Sequence, residues 1–341
     1  MRISLTDAIS KIEQGASLSA DESFAAFAFL FEANPGEEAI RRFLGSLHQK
    51  GETAEELLGA VKYLRSQAIS VTAKSPDLVD CCGTGGDHKN TFNISTAVSF
   101  VLAGAGCTVA KHGNRAITST SGSADVLSAL GVSLTLSPEQ LGQCLDKVGI
   151  AFLFAPNHYP LLKSVASIRK SLPHRTIFNL LGPLLNPAGA KKQLIGLYDK
   201  TWCRPICEVL KALGSESVIT VNSDDGSDEF TLTGQNHYAR LNEQRIEEGI
   251  FDSTSTGYPI CQAKALAGGT PEENAHRLRL VLKGHSLPLD HAVHLNAAWG
   301  LIAAQKVTNV LDGLLMAQDA ISSGRAYQKL EALVEFTRSA C

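Results

Sequence analysis

Cys82-Gly83-Thr84-Gly85-Gly86-Asp87-His88-Lys89-Asn90-Thr91-Phe92-Asn93-Ile94-Ser95-Thr96 places a glycine loop between an apolar strand, Leu78 to Cys82, and an apolar helix that the pattern starts near Ala97. Glycines lack a side chain, so Gly83, Gly85 and Gly86 can take positive φ and bring backbone N–H groups close to an anion. Asn93, Ser95 and Thr96 add an amide and hydroxyls at the positive end of a helix dipole. Each N–H to a phosphate oxygen contributes about 1.5 to 3 kcal/mol. The nucleotide P-loop is excluded, because His88 stands where its second glycine belongs and Asn90 where Ser or Thr should meet magnesium. Gly83, Gly85 and His88 also miss the third glycine of the dinucleotide fingerprint. The loop therefore holds some other phosphate ligand, or it is a tight structural turn.

With 341 residues, 44% of them hydrophobic, 29 glycines and 6% aromatics, the composition fits an α/β enzyme rich in tight loops. A chain of this size buries roughly three quarters of its unfolded surface. The net charge of −3 supplies no basic field for nucleic acid, so an anion site must be local, as a small phosphorylated substrate requires. Arg2 and Asp7 interrupt the start where a secretory leader would be apolar, and the runs Phe24 to Phe31 and Ala97 to Ala110 are too short to span a bilayer. A cytoplasmic protein with no membrane partner is expected. Its eight cysteines are scattered through apolar segments, as reduced core thiols are, and Cys203 and Cys207 share a helix face without a second pair that would make a zinc site.

Up to about Gln67 the apolar positions recur at helical spacing, and Ser19-x-x-Glu22 and Thr53-x-x-Glu56 read as capping boxes. This predicts a small helical domain over residues 1–67, completed by helices within about 170–190. After a polar linker ending at Pro76, short apolar strands alternate with helices. The strands are Leu78 to Cys82, Thr108 to Lys111, Val132 to Leu136, Phe152 to Ala155, Leu194 to Tyr198 and Val218 to Val221. A helix capped by Ser137 to Gln140 lies among them, and Asn296 to Val307 and Leu311 to Ser322 read as two more. Alternation of this kind predicts an α/β domain over 76–341 with a mostly parallel central sheet flanked by helices.

Three further segments carry chemistry. Lys111-His112-Gly113-Asn114-Arg115, followed by Thr118, Ser119, Ser121, Gly122, Ser123 and Asp125, puts cations and hydroxyls at a strand's carboxyl end, where open α/β sheets bind ligands. The other reading is a solvated loop capped at a helix start. Ser223 to Glu229 gathers four carboxylates, Asp224, Asp225, Asp228 and Glu229, that repel unless they face solvent or a cation. Magnesium held with substrate phosphates suits them, and so does a plain acidic turn. In the third, Ser167-Ile168-Arg169 and Arg175 to Pro187, an Arg among apolar residues either grips a substrate carboxylate through two parallel hydrogen bonds or forms a structural ion pair. His158 and Tyr159 read as packing or rim residues.

Together GTGGD with TFNIST, KHGNR followed by GSAD, RTIFNLLGPLLNP, and the acidic pair Asp228-Glu229 resemble the anthranilate phosphoribosyltransferase family, of the nucleoside phosphorylase class II fold. The resemblance runs from the first helices to Ser323-Gly324-Arg325-Ala326, essentially the whole chain. It implies a homodimer acting in tryptophan biosynthesis, with a helical domain beside an α/β domain. By motif match, Gly83, Gly86, Asp87, Thr91, Asn93, Ile94, Ser95, Thr96, Lys111, His112, Gly113, Asn114, Arg115, Ser119 and Ser123 would contact phosphoribosyl pyrophosphate (PRPP). Ser95, Asp228 and Glu229 would hold magnesium, and Gly83, Asn114 and Arg169 would meet anthranilate. Lys111, Asn114 and Arg169 are the catalytic expectation: the first stabilises departing pyrophosphate, and the other two orient the acceptor. Pyrimidine nucleoside phosphorylases share the fold but resemble this chain less in the last two motifs; a phosphoribosyltransferase with another aromatic acceptor is the remaining reading. The chain departs from the family pattern at His88-Lys89-Asn90, at His158-Tyr159-Pro160 and at Pro173-His174, the last two beside the acceptor's expected approach.

Overall fold

Capping boxes are satisfied within a single turn, so they act before any tertiary contact, and both of those read in the amino-terminal region form. In the computed structural model, which describes residues 3–33, 35–86, 89–116, 120–285 and 288–340, Ser19 caps helix α2 (Ala20–Glu32) and Thr53 caps α4 (Ala54–Ser66). With α1 (Leu5–Glu13) and α3 (Glu37–Lys50) they bury an apolar core centred on Phe27, Phe43, Leu44 and Leu64. Ile168, Ile177, Phe178 and Leu181 pack into the same core, and Phe178 meets Phe27 edge to face at 5.9 Å.

The sheet begins at β1 (Leu78–Gly83) and continues with β2 (Thr108–Gly113), β3 (Ile150–Phe154), β4 (Lys192–Gly196), β5 (Ser217–Ser223), β6 (Gln235–Asn242) and β7 (Arg245–Asp252). Its order is β3-β2-β1-β4-β5-β6-β7, parallel through β5 and closed by the antiparallel β6 and β7. The chain runs outward from β1 to β3, then returns to β4 on the other side of β1. That reversal opens a crevice at the strands' carboxyl ends. Successive side chains of a strand face opposite ways, so Leu194 joins the core beneath α5 (Ile94–Gly104) while Ile195 joins the core shared with α1 to α4. On the first face α5 packs against the long helix Leu289–Ala303.

The structure corrects several sequence expectations. Val132 to Leu136 is not a strand; its alternating residues pack between α6 (Ser123–Leu130) and α7 (Pro138–Val148), and Ser133 N–H donates to Thr337 on the last helix. Helix α5 starts at Ile94, ahead of Ala97. The strands expected at Phe152 to Ala155 and Leu194 to Tyr198 begin two residues earlier, at Ile150–Phe154 and Lys192–Gly196. The hairpin of β6 and β7 was not foreseen.

Candidate active site

Beyond β1 the glycine loop turns back against β4. Thr84 N–H donates to Gly196 O at 2.9 Å, and Gly85 and Gly86 take φ of 62° and 75°. Gly85 N–H donates to Asp228 Oδ2 at 2.9 Å. A Cβ on Gly83 would stand 2.4 Å from that same oxygen, and one on Gly196 would stand 1.5 Å from the Asp228 carbonyl oxygen. Two strand glycines therefore admit the loop after β5 to the switch point. Gly196 went unremarked in the sequence, although an isolated glycine in an apolar strand signals close backbone approach.

The four carboxylates of that loop divide in two. Asp224 bonds His237 at 2.7 Å, and Asp225 accepts from Ser227 N–H and the Thr233 hydroxyl, each at 2.9 Å. Asp228 instead reaches the glycine loop, and Glu229 accepts from Ser95 N–H at 3.2 Å in the first turn of α5. The first pair thus bonds within its own loop and hairpin, while the second crosses to the glycine loop and to α5. Among the described residues no three His, Cys, Asp or Glu side chains gather closely enough to hold a metal by themselves. Two carboxylates, one against the glycine loop and one against the Ser95 backbone, have the hard oxygen donors that magnesium takes while keeping positions for water and phosphate.

Asn93 is the N-cap residue of α5, but its side chain does not cap. Its amide donates to Ser121 O at 3.1 Å and its carbonyl accepts from Asn274 at 2.9 Å, so it ties three segments around the helix end. Thr91 forms a bridge with Ala267, Ile94 is buried, and the Thr96 hydroxyl is buried with no partner. Asp87 and Ser119, both expected at the donor, lie outside the described residues, as do His88 and Thr118.

At the end of β2, Lys111 and His112 are buried and Asn114 and Arg115 exposed. Burial works against the Lys111 charge, but Cys81, Cys82, Asp80 and Glu229 around it outweigh that and hold its pKa above the ordinary value. The ammonium donates to His112 O at 3.3 Å. Burial pushes the His112 imidazole down to about 3, leaving it neutral, with Nδ1 donating to Gly182 O at 3.0 Å. Gly113 lies so close to Ser123 that a Cβ would stand 2.3 Å from its hydroxyl, which donates to Asn114 O at 3.2 Å. Arg115 pairs with Asp125 at 2.8 Å; Asp125 also accepts from the N–H groups of Ala116 and Gly122 and thereby shapes the loop.

Arg169, on the short helix Ala166–Ser171, lies half-buried over the Phe178 ring at 4.8 Å. Its buried Nε has no partner, and no carboxylate among the described residues pairs with it. The structural ion pair that was the other reading is absent there. Burial lowers its pKa from the ordinary value, yet a guanidinium stays charged, so this cation lies over the Phe178 face with no carboxylate beside it among the described residues. Arg175, quoted in the sequence without a separate role, bonds Gly86 O and lies over Tyr198 at 4.2 Å, joining the arginine segment to the glycine loop. His158 and Tyr159 are buried rather than on a rim, and His174 stacks on His48 at 4.1 Å.

A helical bundle beside an α/β sheet, with a glycine loop and an acidic pair at the switch point, is the construction of a glycosyl transferase family. That family's helical bundle domain matches residues 6–68 and its a/b domain residues 75–327. The chain is 44% identical to the anthranilate phosphoribosyltransferase of Rhodopseudomonas palustris strain TIE-1, covering 97% of this chain and 98% of that one, and 44% identical to that of Petrotoga mobilis, covering 96% of each. It superimposes on the crystal structure of the Thermus thermophilus enzyme with a TM-score of 0.91 at 37% identity, over 97% of this chain and 99% of the other. The Saccharomyces cerevisiae enzyme in complex with PRPP and Mg gives 0.89 at 26% identity, over 98% of each. The chain belongs to the anthranilate phosphoribosyltransferase family.

Proposed function

We infer that the chain transfers the 5-phosphoribosyl group of PRPP to the amino group of anthranilate, giving N-(5-phosphoribosyl)anthranilate and pyrophosphate in tryptophan biosynthesis. The observation that carries this reading is the reach of Asp228 and Glu229 to the N–H groups of Gly85 and Ser95, where the glycine loop meets the start of α5; two carboxylates there suit a divalent metal. Breaking the C1–O bond builds positive charge on the ribose and negative charge on the departing pyrophosphate. Magnesium held by Ser95, Asp228 and Glu229 would supply positive charge to that anion. Lys111, kept charged in its buried seat, would supply the rest from the protein together with polar groups of Gly83, Gly86 and the segment Asn93, Ile94, Ser95 and Thr96. Thr91, His112, Gly113, Arg115, Ser123, Asp87 and Ser119 complete the donor site in this reading.

An aromatic amine is unprotonated at neutral pH, so no strong general base is needed and positioning accounts for much of the rate. Arg169 would take the acceptor carboxylate with two parallel bonds, Asn114 would orient the amine, and Gly83 would lie against the ring. We place the division between the domains at residues 1–67 and 76–341 and expect a cytoplasmic homodimer. Phe24 and Phe29, exposed on α2, offer apolar surface for self-association, and among the described residues no helix is long and apolar enough to cross a membrane.

Mixing the purified protein with anthranilate, PRPP and magnesium should extinguish anthranilate fluorescence, and EDTA should abolish the loss. No loss, with PRPP binding intact by calorimetry, would overturn anthranilate as the acceptor and leave the donor reading standing.

A further inference from the structure

The segment Gly182 to Asn186 carries none of the roles above, yet three adjacent strands and the helical bundle all hold it. Gly182 O accepts from His112 of β2 at 3.0 Å, Pro183 O from Gln193 of β4 at 2.9 Å and Leu184 O from Arg65 of α4 at 2.8 Å. The fourth tie is to β1. Asn186 Nδ2 donates at 2.8 Å both to Asp80 Oδ2 and to Ala110 O, and Asp80 Oδ1 accepts from His112 N–H at 3.1 Å. Asp80, Asn186, His112 and Gln193 are all buried.

The place of these bonds in the sheet gives them meaning. β1 pairs with β4 from Val79 to Gly83, but with β2 only at Leu78–Thr108 and Val79–Val109. Past that point the β2 groups that would face β1 need other partners, since an unpaired buried backbone group is costly. Asp80 takes the His112 N–H and Asn186 takes the Ala110 carbonyl, so two side chains stand in for a ladder that has stopped. The residues between and just beyond those anchors are Lys111 to Asn114.

We propose that Asp80, with Asn186 as its partner, is a positioning residue for phosphoribosyl transfer: it fixes the end of β2 and thereby sets where Lys111 and Asn114 meet the donor. The proposal rests on the reading of that loop as a PRPP contact. Asp80 itself lies in the floor of the site and touches no substrate. In Asp80→Asn the shape is kept, but one new N–H must face either the His112 N–H or the Asn186 amide, so the end of β2 shifts.

The test compares Asp80→Asn and Asn186→Ser with Lys111→Ala in steady-state kinetics, PRPP calorimetry and thermal melting. A shift approaching an ångström costs on the order of 10- to 100-fold. The expected result is a loss of that size in kcat/KM for PRPP and in PRPP affinity, larger than any change in the KM for anthranilate, which Arg169 holds from a separate element. A merely structural role would lower the melting temperature and the active fraction while leaving the PRPP KM unchanged, and that result overturns the proposal. Should Asp80→Asn not accumulate as folded protein, Asn186→Ser carries the same comparison through the same bond. If Lys111→Ala weakens PRPP but neither floor variant does, the proposal alone falls; if Lys111→Ala leaves PRPP binding intact, the donor reading of this loop falls and takes the proposal with it.

Discussion

Two helix starts in this molecule make opposite use of the same physics. At the start of α4 a local capping box closes: the Thr53 hydroxyl accepts from Glu56 N–H, and Glu56 Oε2 accepts from Thr53 N–H at 2.9 Å. The buried Glu56 also accepts from Leu18 N–H and Lys50, each at 3.0 Å. At the start of α5 the cap residue turns away, the Thr96 hydroxyl is left without a partner, and Ser95 N–H is held by a carboxylate from a distant loop. A helix end leaves its first N–H groups without intrahelical partners, and nature fills them with side chains, water or ligands. Where side chains fill them the helix start serves folding. At α5 the Ile94 and Thr96 N–H groups turn back to Phe92 O and Asn93 O, and the one met from outside, that of Ser95, brings the Glu229 carboxylate to the helix end.

The sharpest way to break this contrast is to remove the charges brought to the α5 end from the distant loop. Asp228→Asn with Glu229→Gln keeps the shape of both side chains and should lower kcat by about 10²- to 10³-fold, the range seen when a preorganised electrostatic contact is lost. The dependence of rate on magnesium should weaken in parallel, while the melting temperature moves little. An unchanged metal titration would remove the pair from the site. Arg169→Ala comes next. The lost charge-assisted bonds are worth about 1.5 to 3 kcal/mol, so the KM for anthranilate should rise roughly 10- to 150-fold, with the KM for PRPP within about twofold. A rise in the PRPP KM instead would reassign Arg169 to the donor.

The closed end should respond in stability and not in rate. Thr53→Ala removes one capping bond and should cost about 1 kcal/mol in chemical denaturation, with kcat/KM for both substrates unchanged. A kinetic effect without a stability effect would mean that the helical region takes part in the chemistry directly.

What could be read from the sequence follows from the range of each interaction. The boxes at Ser19 and Thr53 pair residues three apart, so their spacing alone reveals them. The glycine loop and the Asp228-Glu229 pair were visible as separate motifs, but their meeting depends on bonds 143 and 134 residues apart in the chain, and nothing local encodes those. The Asp80–Asn186 bond, 106 residues apart, was invisible for the same reason. The β6–β7 hairpin escaped because its two-residue turn, Glu243-Gln244, takes φ of 47° and 64° with residues other than the Asn or Gly that advertise such a turn. Val132 to Leu136 misled in the opposite sense. Its alternation is real and buries Val132, Leu134 and Leu136 at least in part, but the residues bury against helices and not in a sheet.

His174 gives the finest test, because sequence and structure assign it to different sides of the contrast. By motif it stands beside Arg175 and the acceptor's approach, where the family pattern differs. By contact it belongs to the closed region: its ring stacks on His48 of α3 at 4.1 Å with the planes 4° apart, and its Nδ1 donates to Arg175 O at 2.8 Å. A stacked ring pair is worth about 0.5 to 1.5 kcal/mol beyond burial. His174→Gly should therefore cost about 0.5 to 1.5 kcal/mol of stability and shift the KM for anthranilate by less than about threefold, since Arg169 and its Phe178 seat are untouched. A tenfold change in that KM with stability preserved would place His174 in the acceptor site. The departure at Pro173-His174 would then be a change of specificity and not a change in how the loop is moored to the helical bundle.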